Sequence, residues 1–170
     1  MPWVVVTLTY LALPPEHPVP DTAPPHGVSV ALAELCPPAL ARDLYVRVGG
    51  PWHWHDRLPW SDQQWRDHLE RNGVSIHLLL IDGATAGYFE LARHDDGGTE
   101  IAYFGLLPQA QGRGLGRWLL EQAALEARRH GGTVWVHTCT LDGPAALPNY
   151  LARGFVPTRE EQYTTLVPDT

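Results

Sequence analysis

The sequence predicts an α+β protein, with a mixed, mostly antiparallel central sheet flanked by helices on both faces. Three observations lead there. Residues 74–107 hold three strand-like runs separated by turn residues, the pattern of an antiparallel meander. The stretch LLPQAQGRGLGRWLLEQAALEARRHG, residues 106–131, then runs from a strand through three glycines into a long amphipathic helix, and TVWVHTCT, residues 133–140, follows it. A helix joining two neighbouring strands makes them parallel, so the sheet is mixed. Finally, 170 residues with 44% hydrophobic side chains suffice for one packed core.

Each element has its own signal. Val4 to Leu13 reads as a strand, and residues 14–27 as a linker. There Pro14, Pro15, Pro18, Pro20, Pro24 and Pro25 force extended, solvated backbone. This arm, residues 1–27, is expected as an addition to a single domain over 1–170. A short strand covers Val28–Glu34, and a helix starting at Pro37 ends at Gly49. Ser61 or Asp62 caps a helix through Gln63–Arg71, stopped by Asn72-Gly73. The meander is Val74–Ile81, the turn Asp82-Gly83, Ala84–Ala92, the turn 95–98, and Thr99–Leu107. The third of these strands is apolar on both faces except at Glu100, as suits a central position. The helix from about Gly114 to His130 has Leu119, Leu120, Ala123, Ala124 and Ala127 on one stripe. Trp118 and Leu125 fall off that stripe and are left to cover another part of the fold or a partner. A short helix with prolines at 144 and 148 leads to Gly154-Phe155, and Phe155–Leu166 closes the sheet.

The net charge of −7 argues against a general binder of nucleic acid or anionic membrane. No run approaches the roughly 20 apolar residues of a spanning helix. The segment MPWVVVTLTYLAL lacks a basic leader and a cleavage site, so it reads as a strand, and the cytoplasm is the expected compartment. Cys36 and Cys139 have no metal-like spacing; free buried thiols are favoured over a single disulfide.

Gly112, Gly114 and Gly116 at a helix mouth point to a phosphate group, because the first turn offers unpaired N–H groups and partial positive charge. A dinucleotide fingerprint fails, since its third glycine would fall on Arg117 and the preceding strands form a meander. A Walker loop fails too, because the stretch ends in Gly116-Arg117-Trp118 rather than Gly-Lys-Ser/Thr. The bland alternative is a tight strand-to-helix turn. Gln111-x-x-Gly114-x-Gly116, however, resembles the acyl-CoA pyrophosphate loop of the GNAT superfamily of N-acetyltransferases, and ALPNYLARGF, residues 146–155, resembles that fold's tyrosine-x-x-x-Gly-Phe segment. The likeness runs from roughly Val28 to Leu166. It implies acetyl-CoA as co-substrate, with the pyrophosphate wrapped by Gln111, Gly112, Arg113, Gly114, Gly116 and Arg117. It also implies a pantetheine arm along Phe104, Leu106 and Leu107, where two parallel strands splay apart.

The same likeness makes Tyr150 the general acid for the departing thiolate; the plain alternative is a core tyrosine packed on Phe155. For the base, Glu90 and Glu100 lie on adjacent strands, roughly opposite or diagonal, where proximity would push one pKa towards neutrality. Alternatively both face solvent. Where many relatives carry an asparagine seven residues before the tyrosine, this chain has Gly143, leaving Asp142 or Asn149 to substitute. Tyr45, Trp52, Trp54 and Trp60 offer an aromatic wall for the acceptor, or else belong to the core. His53 and His55 invite a metal, but no further ligands are evident, and none is expected. The reading is direct transfer of acetyl to a primary amine of a small molecule or peptide, by a monomer or homodimer without nucleic-acid or membrane partners. A non-catalytic acyl-CoA sensor or scaffold is the rival.

Overall fold

The computed structural model describes residues 1–169. Among them the strands β1 (Trp3–Leu13), β2 (Val28–Leu32), β3 (Val74–Ile81), β4 (Ala84–Arg93), β5 (Thr99–Leu106), β6 (Val134–Cys139) and β7 (Val156–Leu166) form one sheet in the order β2-β3-β4-β5-β6-β1-β7. Helices α1 (Pro38–Gly49) and α2 (Asp62–Leu69) cover one face, and α3 (Leu115–Arg128) with α4 (Ala146–Ala152) covers the other. Every contact between neighbouring strands is antiparallel except β5–β6. The α+β class and the mixed sheet are as the sequence predicts.

Local chemistry sets the boundaries. Asp82 (φ 49°) and Gly83 (φ 82°) make the left-handed pair that a two-residue hairpin requires, joining β3 to β4. Ser61 and Gln64 form a reciprocal capping box at the start of α2, satisfying two backbone donors at once. In α4 Pro148 falls in the first turn, where a missing N–H breaks no intrahelical bond. The helix therefore forms despite its proline. Beneath α3, the predicted stripe is fully buried together with Leu11, Phe89, Leu91, Ile101 and Val136.

The N-terminal arm is more closely tied to the fold than expected. β1 is not an addition at the margin; it lies between β6 and β7 and pairs with both, burying Val6, Leu11 and Leu13. The proline-rich segment is largely exposed, as expected, but it is anchored rather than free. It straps α3: Trp118 donates its indole N–H to the Thr22 carbonyl at 2.8 Å, and Arg128 donates to the Pro14 carbonyl at 2.8 Å. Trp118, off the helix stripe, is buried because the strap supplies a second wall. Cys36 and Cys139 are free thiols, each partly buried. Among the described residues no helix is long and apolar enough to cross a membrane.

Candidate active site

β5 and β6 pair only at Thr99–Val134 and Glu100–Trp135, then diverge while β6 continues along β1 as far as Cys139. From Ile101 onward the β6-facing peptide groups of β5 have no strand partner. Between the splayed strands lies a cavity of about 730 Å³. It runs from Gln111, Gly112, Gly116 and Arg117 at the mouth of α3, past Phe104 and Tyr150, to Trp54, Asp56 and His137 on the far side. Gly112 (φ 78°) and Gly114 (φ 74°) take the left-handed conformation that glycine adopts without strain, and a Cβ at either would meet nothing. No side chain caps α3 and its first turn holds no acid, so its amides remain available to an anion. An open strand edge leading to an uncapped glycine loop fits the pantetheine and pyrophosphate of acetyl-CoA.

Of the residues expected along that ligand, Phe104, Leu106, Gln111, Gly112, Gly116 and Arg117 line the cavity; Gly114 is the N-cap of α3, and Arg113 is exposed outside the lining. Leu107 is misplaced by the sequence reading. Its side chain is buried with Leu44 and Val48 under α1, and its N–H donates to the Ala86 carbonyl on the β4 side.

Tyr150 projects from α4 into the cavity, its ring edge-on to Phe155 at 5.9 Å and to Phe104 at 6.4 Å. The tyrosine packs on Phe155 and at the same time lines the cavity. Burial, followed by the negative charge of Asp142, pushes its phenol well above the usual value, so it keeps its proton. Asn149 donates to the Gly116 carbonyl at 3.2 Å, tying α4 to the first turn of α3. Asp142 is committed elsewhere, accepting from the Thr138 hydroxyl and the Cys139 N–H. At Gly143 a Cβ would stand 3.2 Å from the Trp52 ring, so the tryptophan covers the position where an asparagine was sought.

The two carboxylates do not face one another. A bulge at Ala102 sets Glu90 opposite Tyr103 and Glu100 opposite Ala92. Glu90 is buried and accepts both arms of the Arg57 guanidinium at 2.7 Å, with His68 Nε2 at 3.1 Å. Glu100 lies between His94 Nε2 at 2.9 Å and His137 Nε2 at 3.4 Å. Burial alone would raise each carboxyl, but the bonds and charges of these partners outweigh it and hold both below the ordinary value. The expected shift of one towards neutrality is thereby overturned, and neither carboxylate lines the cavity. The group that does is His137, whose pKa is raised, mainly by its bond to Glu100. Sequence reasoning passed over it. The alternation in TVWVHTCT puts Trp135, His137 and Cys139 on one face, but that this face meets the splay depends on β1, more than a hundred residues away.

Tyr45, Trp52 and Trp54 line the acceptor side together with Tyr103, whose ring lies 4.8 Å from Trp54 and 5.2 Å from Tyr45. Gly49 is required here, because a Cβ would overlap the Trp54 ring. Trp60 is not part of the wall. It stacks over the Arg57 guanidinium at 4.8 Å and against Trp65, behind the pocket. His53 and His55 meet edge-on at 5.8 Å, and no group of three or more metal-binding side chains occurs among the described residues.

Solved structures share this architecture. A GCN5-related N-acetyltransferase from Sphaerobacter thermophilus matches 95% of the chain with a TM-score of 0.72 at 16% identity, over 51% of its own length. One from Kribbella flavida matches 95% with a TM-score of 0.65 at 22% identity, over 58% of its length. The ribosomal-protein-S18-alanine N-acetyltransferase from Escherichia coli matches 78% of the chain, over 79% of its own length, with a TM-score of 0.61 at 22% identity. The chain spans 51–63% of the length of the first five structures it matches. Among curated protein sequences none matches. The model of the Acetyltransferase (GNAT) family matches residues 39–155, a range that takes in the meander, the glycine loop and Tyr150. On that match, and with the splayed sheet to support it, this chain belongs to the GNAT acetyltransferase family.

Proposed function

We propose that the chain transfers the acetyl group of acetyl-CoA directly to a primary amine of a small molecule or peptide. The observation that carries this reading is the single cavity joining the glycine loop to an aromatic pocket through the gap between β5 and β6. When bound, acetyl-CoA supplies the activated acyl carbon. The loop and the amides of α3 hold its phosphates, and the open edge of β5 orients the arm.

Two side chains then manage protons from opposite sides of the gap. His137, with Nε2 held by Glu100, has Nδ1 left to take a proton from the acceptor ammonium, and Glu100 stabilises the imidazolium that results. Tyr150 gives its phenolic proton to the departing sulfur. A C–N bond forms and the C–S bond breaks; of the two protons that the ammonium nitrogen gives up, the first ends on His137 and the second, released as the tetrahedral intermediate collapses, restores the Tyr150 phenol whose own proton leaves on the thiol. Glu100 thus serves as a positioning residue rather than the base itself, and Glu90 plays no part in proton transfer.

The test is calorimetric titration with acetyl-CoA alongside an assay of thiol release across an amine panel. It compares wild type with Gly116→Glu and Tyr150→Phe. Gly116 lines the cavity without left-handed backbone, so a glutamate there repels phosphate without strain. Wild type is expected to bind and turn over, Gly116→Glu to lose binding, and Tyr150→Phe to bind normally with kcat reduced about 100-fold. Wild type that ignores acetyl-CoA would overturn the reading. Turnover undiminished in Tyr150→Phe would remove the acid.

A further inference from the structure

The charged groups around the cavity are distributed unevenly, and the imbalance bears on which amine enters. Arg117, the guanidinium among the lining residues, stands at the phosphate end beside Gly116. The acceptor end has no such fork. The sequence contains no lysine, and Arg57, the arginine nearest the aromatic wall, is buried and held bidentate by Glu90. The basic groups left on that side are imidazoles: His137, engaged with Glu100, and the His53–His55 pair.

The acceptor end instead presents a carboxylate. Asp56 lines the cavity and is exposed to it, and no basic side chain pairs with it among the described residues. It follows Trp52, His53, Trp54 and His55 in one continuous lining stretch, and its charge acts on Tyr45, Tyr103 and His137. A carboxylate beside aromatic faces suits an ammonium, through ion pairing and through attraction to the rings. It disfavours an acid, which would meet a like charge and give up its hydration without a guanidinium in return. The cavity of about 730 Å³ is shared with the coenzyme arm, which leaves only a small-molecule-sized part of it to the acceptor.

We infer that the acceptor is a small primary amine on an apolar or aromatic body that carries no carboxylate, received as its ammonium by Asp56 against the wall of Tyr45, Trp52, Trp54 and Tyr103. The inference rests on the proposed acetyl transfer for its turnover, but not for its binding.

The experiment uses pairs of amines that differ by one carboxylate: 2-phenylethylamine with L-phenylalanine, and isoamylamine with L-leucine. Thiol release from acetyl-CoA is measured for each, and calorimetry records the binding of each to the protein with and without CoA. The decarboxylated member is expected to have at least tenfold higher kcat/KM and tighter binding. Asp56→Asn is expected to raise its KM and Kd about tenfold while leaving CoA affinity unchanged. Equal or better use of the amino acid would overturn the inference and transfer the role to His53 and His55 as carboxylate partners. It also falls if Asp56→Asn changes neither KM nor Kd, or if neither amine binds. Should acetyl-CoA fail to bind while the amines bind in an Asp56-dependent way, the proposed function fails and this inference stands.

Discussion

Two carboxylates one hairpin apart have opposite fates. Glu90 is buried, with both oxygens engaged by Arg57, whose guanidinium lies over the Trp60, Trp65 and Tyr103 rings, and one also by His68. Glu100 has two imidazoles for partners, and one of them, His137, opens on the cavity. Each has its pKa held down, so titration alone does not tell them apart. Access does. A satisfied ion pair with no path to a ligand pins the loop that carries Trp54 and Asp56, whereas one whose histidine reaches the cavity is placed for proton transfer.

The contrast is broken most severely at Arg57. Arg57→Ala leaves Glu90 buried without its charge partner and should cost about 3–5 kcal/mol in denaturant unfolding. The double variant Arg57→Met/Glu90→Leu should recover most of that loss, because a packed apolar pair replaces the ion pair. It should also flatten the acid side of the stability profile. The Glu90 carboxyl is depressed below 4.5 in the fold, so its contribution is present above that pH and is lost as pH falls through the folded value.

His137→Gln, at the other cluster, should leave stability within about 0.5 kcal/mol at alkaline pH, where the imidazole is neutral, yet lower kcat at least 100-fold with acetyl-CoA affinity unchanged. Equal stability losses at Arg57 and His137, or equal losses of rate, would erase the distinction drawn here.

Glu100→Gln is a finer probe. Around His137 stand Glu100 from β5, itself bound by His94 just past β4, and Tyr10 from β1, with the charges of Asp56 and Asp142 acting on it. With Glu100 present its pKa lies above 6.5, so activity should rise with pH through a limb above that value. Glu100→Gln should move the limb down in pH, as read from kcat/KM profiles. The raised pKa also means that His137 adds stability below pH 6.5 that is lost as pH climbs through the folded value. The smallest effect belongs to Ser61→Ala. Loss of the capping box of α2, the helix bearing His68, should cost about 1 kcal/mol by thermal unfolding and leave kcat unchanged.

What the sequence made legible was whatever is local. The meander, the turn at Asp82-Gly83, the glycines opening α3 and the tyrosine before Gly154-Phe155 are written within a few residues of where they act. Relations between distant segments were not legible. Trp118 breaks its helix stripe for a strap nearly a hundred residues earlier, and Trp60 belongs to Arg57 rather than to the acceptor wall. Leu107 turns inward because its amide is already taken by β4. The two carboxylates are legible because their strands are sequence neighbours, whereas the opening of His137 on the cavity depends on the splay and on the placement of β1.

That placement has a consequence for how the molecule comes together. Among the described residues β7 pairs only with β1, and Trp3 opposite Leu166 joins positions far apart in sequence. Closing so long a loop confers no reward until the strands meet, which slows folding relative to domains built on local contacts. The meander and α3 can condense early from neighbouring sequence. β1 must wait to be seated between β6 and β7. The strand backing His137 and the acceptor end of the cavity therefore arrives late, and the ability to bind coenzyme should emerge during refolding before the ability to bind amine.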